Sequence, residues 1–415
     1  MTKILSVCAL LVCVAGAAPI TNPNLMEDTF SLYALDAQMH QKPQLASGFF
    51  AKLYKETDKK EYLYQSLRML EQAGDTKSLY KSTEQALAKF PDDDTLKRFE
   101  IIALLKNGNF AEASQKALLL SEKTKKASDY LLYGEARLKL GDYEGTVSAF
   151  KKGYALNYDE TTAERIALIQ YTQLGEKSEA IKFLKEHISI HGNSKLIGKR
   201  LASLYADSGD LNAAAQMYEQ SYDIEADPQI AEEAVKIYAY QKDFSKMSAI
   251  LEKSHINDPL LLDIYVRTKT FDKASALAQT LYEREDNPLY LAQSSIFAYE
   301  GASNRFDPAV VNKVVEGLKK ANAQFDDPLY QNYLGYLMID HDLNVTEGMI
   351  YVRKALEKQP ESPYYLDSLA WGYYKLGECS EALKLMKQVE SMIGSDEEEV
   401  KEHLKAIEAC KTKEK

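Results

Sequence analysis

His187 and His191 stand four residues apart, a spacing that can set two imidazoles on one helix face as a metal site requires. No glutamate follows His187, and Gly192 closes the helix, where a histidine already gains from the negative end of the helix dipole. The pair therefore reads as a helix terminus, and neither a metal nor another cofactor is expected. Gly192 to Gly198-Lys199 imitates a phosphate-binding loop, but it holds one residue too many and Arg200 stands where Ser or Thr is needed. The chain contains no Gly-x-Ser-x-Gly nucleophile turn. The acidic runs Asp92-Asp93-Asp94 and Glu397-Glu398-Glu399 read as helix starts, where carboxylates meet the positive end of the dipole. No catalytic constellation emerges, and the expectation is a protein that is not an enzyme.

Two other patterns carry covalent chemistry. Cys379 opens one apolar-periodic stretch and Cys410 closes another. Antiparallel helices would bring both to one end, where an oxidising compartment permits a disulfide; two buried thiols are the alternative. Asp342-Leu343-Asn344-Val345-Thr346 holds an Asn-x-Thr acceptor with an acidic residue two places earlier, so Asn344 is a candidate glycosylation site in a loop between helices.

The elements that would position such residues follow a ladder of glycines. Gly74, Gly108, Gly141, Gly175 and Gly209 recur every 33 or 34 residues, each closing one helix-like stretch shortly before the next. That period is the mark of stacked helix–turn–helix units. Small residues recur five places later at Ala113, Thr146, Ala180 and Ala214, with Gly134 and Ala202 at the facing position, where two helices must approach closely. Lys242 takes the glycine column, Phe271 marks a shortened unit, and Gly301-Ala302-Ser303-Asn304 is a long turn, so residues 245–325 read as helical but irregular.

Tyr205, Gly209, Ala214 and Tyr218, then Tyr373, Gly377 and Ala382, with Ala86–Pro91 and Ala355–Pro360 at unit ends, resemble the tetratricopeptide repeat. The resemblance covers residues 26–392. It implies an all-α, right-handed α-solenoid of about ten helix hairpins. It also implies that the first helix of each pair lines a concave groove for a protein or peptide partner. Carried onto this chain, the groove columns are Asn332, Tyr336, Tyr364, Asp367, Trp371 and Tyr374, with Arg98, Glu135, Arg165, Lys199, Ser203, Glu232 and Lys236 earlier. Trp371, the only tryptophan, sits among tyrosines, the residue types in which binding energy concentrates; packing between repeats is its alternative role. The family's carboxylate clamp is not matched, since Ile169 follows Arg165 and Ser203 follows Lys199 at the asparagine column. Tyr333-Leu334-Gly335-Tyr336 and Asp367-Ser368-Leu369-Ala370-Trp371 are similar to the last repeats of bacterial envelope adaptor and scaffold lipoproteins, some of which dock a processing protease.

At the N-terminus, Lys3, the apolar run Ile4–Val14 and Ala15-Gly16-Ala17 form a secretory signal with cleavage after Ala17. Val12 before Cys13 departs from a lipobox and argues against a lipid anchor. No later run is long enough to span a membrane, and a net charge of −11 disfavours nucleic acid. The expected organisation is a signal peptide over 1–17, regular repeats over 26–244, irregular repeats over 245–325, C-terminal repeats over 326–392 and a capping helix over 395–412. The expected role is a periplasmic, non-catalytic scaffold or adaptor of a Gram-negative envelope. A structural component of a flagellar, pilus or outer-membrane assembly machine is the alternative.

Overall fold

The computed structural model describes residues 23–394 and 397–413. The signal peptide, Cys13, and Ser395 and Asp396 of the expected C-terminal helix start lie outside the described residues. Within them the chain forms twenty-three α-helices, α1 to α23 in chain order, and no strand. The first twenty-two run as eleven hairpins of an A helix and a B helix, and α23 follows alone. Two compact units result, one ending at Glu225 and the other beginning at Ala226. The boundary drawn at 244/245 from the sequence falls inside the second unit.

One hairpin explains the ladder. Helices α7 (Ala127–Lys139) and α8 (Tyr143–Asn157) are joined at Gly141, whose φ of +75° is free only for a residue without Cβ. Asp142 then caps α8, its carboxylate accepting from the Gly145 N–H at 2.9 Å. Behind the turn, Gly134 lies flat against the fully buried Phe150, and a Cβ there would overlap the ring. Burying such a ring stabilises by roughly 1.5–3 kcal/mol, so the small column exists to admit the large one.

The apparent drift after Lys242 is a loss of glycine without a loss of pairing. The turns α13 (Pro228–Gln241) to α14 (Phe244–Ser254) and α15 (Asp258–Arg267) to α16 (Phe271–Glu285) place Lys242 and Lys269 at φ +57° and +55°. These lysines adopt the left-handed conformation at a cost of about 1–2 kcal/mol each. Counting these turns gives eleven hairpins, in line with the about ten that the repeat resemblance implied. Irregularity is still visible: α14 and α15 are the shortest helices described, at 11 and 10 residues, and Ala302–Asp307 makes a longer link from α17 (Pro288–Gly301) to α18 (Pro308–Asn322).

A backbone-to-backbone helix approach comes late in the second unit. In α19 (Pro328–Asp340) and α20 (Val345–Lys358), a Cβ on Gly335 would stand 2.6 Å from the Gly348 carbonyl oxygen, and one on Gly348 2.7 Å from that of Gly335. The stack ends with α21 (Pro363–Lys375), α22 (Cys379–Ile393) and α23 (Glu398–Lys413), sealed by Leu366, Met386, Val389, Val400 and Ile407. Helix α23 thus serves as a cap whose inner face is apolar.

Candidate functional site

The A helices of the two units carry different chemistry. In the first unit, α5 (Asp94–Lys106), α7, α9 (Glu160–Thr172) and α11 (Lys195–Asp207) are tied by arginine–carboxylate pairs. Arg98 Nε and Nη2 donate to the two carboxylate oxygens of Asp129 at 2.6 and 2.7 Å. Arg165 pairs with Glu135 and lies over the Phe150 ring at 4.5 Å; Arg200 Nε reaches Glu164 at 2.8 Å. Burial alone would raise the Asp129 carboxyl, but the bonds from Arg98 and Thr124 outweigh it and hold it below the usual carboxylate range. Arg98 is therefore engaged with Asp129, and Glu135 and Arg165 with each other, while Lys199 is exposed.

In the second unit the A helices α17, α19 and α21, with α23, surround a cavity of about 420 Å³. Tyr299, Tyr333, Tyr336 and Tyr364 line it, together with the carboxylates of Glu300, Asp340, Asp367, Glu397 and Glu399; Arg305 is its one Lys or Arg. The volume lies in the range of sites that hold a side chain or small ligand. Most of these carboxylates take their hydrogen bonds from neutral donors. Tyr333 Oη donates to Glu300 at 2.9 Å, Trp371 Nε1 donates to Asp340 at 3.0 Å, and Tyr336 Oη donates to Glu399. His403 Nδ1 sits 3.0 Å from both oxygens of Asp367. Only Glu300 adds a guanidinium, from Arg305 at 2.7 Å. Burial, followed by the Glu399 bond and the charges of Asp340 and Asp367, pushes the Tyr336 hydroxyl far up; burial and Glu300 do the same for Tyr333. Those phenols remain donors at any ordinary pH.

Of the groove residues expected from the repeat columns, Asn332, Tyr336, Tyr364 and Asp367 share this cavity. Trp371 and Tyr374 lie beside it in a stack. The indole is sandwiched between Tyr374, with centroids 4.7 Å apart, and His403, at 4.0 Å and 15°. Its faces are thus taken by the chain itself. Sequence reasoning missed Glu300, Asp340, Glu399 and His403. The available signal was the repeat offset: Glu300–Tyr333, Asp340–Trp371 and Asp367–His403 are separated by 33, 31 and 36 residues, as Arg98–Asp129 are by 31.

The remaining chemical candidates are placed as follows. His187 is buried, shares a 2.7 Å bond with the Tyr154 hydroxyl through Nδ1, and leaves Nε2 without a partner. Its ring is 5.1 Å from that of His191. Among the described residues no group of three His, Cys, Asp or Glu is arranged to hold a metal ion. Gly198 and Lys199 lie inside α11, so no loop cradles a phosphate there. Cys379 and Cys410 meet in disulfide contact with Cα atoms 5.9 Å apart, inside the normal range. Asn344 caps α20: Oδ1 accepts from the Glu347 N–H at 3.1 Å, and Nδ2, the atom a glycan would take, donates to the Glu347 carboxylate at 3.1 Å. No described helix is long and apolar enough to cross a membrane.

A tetratricopeptide repeat model matches residues 199–232. The chain is similar to a structure of the Naa15/Naa10 complex bound to HypK-THB, with 14% identity and a TM-score of 0.36, covering 84% of this chain and 65% of that one. It thus spans a little under two thirds of that neighbour's length. It is also similar to a chain of the APC/C hetero-tetramer Cut9–Hcn1, at 12% identity and a TM-score of 0.41, covering 92% of this chain and 96% of that one. PilF of Pseudomonas aeruginosa matches at 15% identity and a TM-score of 0.38, over 52% of this chain and 99% of its own. No curated protein gives a significant match.

Proposed function

We propose that this chain is a non-catalytic scaffold or adaptor that holds a protein or peptide partner on the A-helix face of its C-terminal repeats. The observation that carries this is the cavity bounded by α17, α19, α21 and α23, where four tyrosines and five carboxylates converge. Tyrosines supply large contact area at low entropic cost, and a recessed pocket provides the desolvated centre that binding energy needs. The signal-like N-terminus and the envelope-type last repeats favour a periplasmic setting in a Gram-negative cell, with an envelope protease or assembly machine as the context in which the partner is presented.

A photo-crosslinking amino acid placed at Tyr364, 57% exposed at the cavity, should capture a defined partner in cells. The same probe at Leu119, 72% exposed on a B helix of the first unit, should not. Equal capture at both positions, or capture at Leu119 alone, removes the reading.

A further inference from the structure

We infer that the cavity of the second unit receives the cationic side chain of an arginine or lysine carried by an extended segment of the partner. The inference rests on the proposed partner-binding role and adds the chemistry of what is bound. Its warrant is an uncompensated charge. In the first unit an arginine answers each of the A-helix carboxylates Asp129, Glu135 and Glu164. In the second, the Asp340 and Glu399 carboxylates are held by Trp371 and Tyr336, donors that contribute no positive charge, while the neighbouring Lys375 ammonium bonds the Asp340 backbone carbonyl at 3.0 Å and is paired with the Asp342 carboxylate at 2.8 Å. Asp367, buried to 6% exposure, has only the imidazole of His403. Asp367 and Asp340 are recessed while Glu397 and Glu399 stand exposed at the mouth, and such a convergence of carboxylates focuses a field that attracts a cation.

The walls also suit a guanidinium or ammonium in shape. Tyrosine faces attract cations, more strongly where water is excluded. The rim already displays this recognition. Arg305 bonds the Glu300 carboxylate at 2.7 Å and the Glu300 carbonyl at 2.9 Å, with its guanidinium carbon 5.6 Å from the Tyr299 ring centre. Half-buried Asn332 is also among the lining residues, and its side-chain oxygen has no hydrogen-bond partner. A second copy of this chain is a poorer occupant, because its net charge of −11 opposes approach to a negative groove.

The test uses the full mature chain and a short fluorescein-labelled Gly/Ser peptide carrying a central pair of arginines. Its companion carries citrulline, which keeps the shape and removes the charge. By fluorescence anisotropy the arginine peptide should bind at least about tenfold more tightly than the citrulline peptide, the order expected for one charge-assisted contact. Changing both Glu300→Gln and Glu399→Gln keeps acceptors for Tyr333 and Tyr336 and should weaken binding about tenfold. The remote pair Glu144→Gln and Glu179→Gln removes the same charge and should change it by no more than about twofold. Equal binding of the citrulline peptide, no binding of either, or an equal loss in the remote pair overturns the inference. Displacement by free arginine at the peptide's own concentration also overturns it, by assigning the cavity to a small cation. Should Tyr364 capture a partner while the arginine peptide fails to bind, the cationic occupant is wrong and the groove reading stands. The converse result removes the groove reading.

Discussion

The two units build the same hairpin and spend the A-helix surface in opposite ways. From α5 to α11, arginines and carboxylates on successive A helices neutralise each other, so this face is held together and electrically quiet. From α17 to α23, tyrosine, tryptophan and histidine take the place of arginine, and the face keeps its negative charge around a cavity. A repeat fold thus separates stability from recognition along its length. Where cations are internal the surface is structural; where they are fewer, the proposed partner supplies one.

The contrast is broken most severely at Arg98. Arg98→Met should strand Asp129, whose side chain is fully buried, and cost about 3–5 kcal/mol, measured by denaturant unfolding. The pH dependence follows from the lowered Asp129 carboxyl. With its folded value depressed, the stability it contributes is present above the unfolded carboxylate range, near 3.9, and is lost as pH falls through the folded value. In Arg98→Met that acid-side loss should be absent or reversed.

In the second unit the corresponding change is milder. His403→Ala leaves Asp367 buried without its imidazole and should cost roughly 1–3 kcal/mol. It also uncovers one face of Trp371, so the emission of the only tryptophan should change; unchanged emission would mean the stack does not persist in solution. A loss as large as that of Arg98→Met would erase the distinction between the units.

Next comes His187, the one buried imidazole of the first unit without a carboxylate partner. Burial, then the neighbouring His191, lowers its pKa. The fold therefore favours the neutral ring. As pH drops below the unfolded value of about 6.5 the unfolded chain protonates first, and stability declines until pH has passed below the folded value. The slope from one such proton is at most ~1.4 kcal/mol per pH unit. His187→Gln should flatten that segment of a stability–pH curve; an unaltered curve would show that the buried ring does not titrate there.

The smallest effect sharpens the comparison best. Glu399→Gln should leave the chain as stable or more stable, within about 1 kcal/mol, because it relieves repulsion among the cavity carboxylates. Losing stability there would show that an internal cation had been overlooked.

The fold was legible because Gly74 through Gly209 and the small columns repeat in phase, and backbone geometry leaves few residues suited to those places. The turns at Lys242 and Lys269 break the run of glycines because lysine there adopts a left-handed conformation that nothing in a lysine announces. The groove columns brought Asn332, Tyr336, Tyr364 and Asp367 to one cavity. The columns did not reveal that α23, read as an end cap, sends Glu399 and His403 back to α19 and α21. That contact depends on how far the helices curve over three successive A helices, a tertiary quantity absent from any single repeat. Trp371 was ambiguous for the same reason: its stacking partner His403 lies outside the repeats.

The bond between Cys379 and Cys410 spans 31 residues and fastens the last helix to the last hairpin. In a stack whose main contacts join neighbours, ends fray first and losses travel inward one hairpin at a time. With one terminus stapled and α1 (Pro23–Met39) held chiefly by α2, unravelling has a direction. Under a pulling force or a processive protease, repeats should peel away from the α1 end, and the clamped terminus beside the tyrosine cavity should be the last to let go.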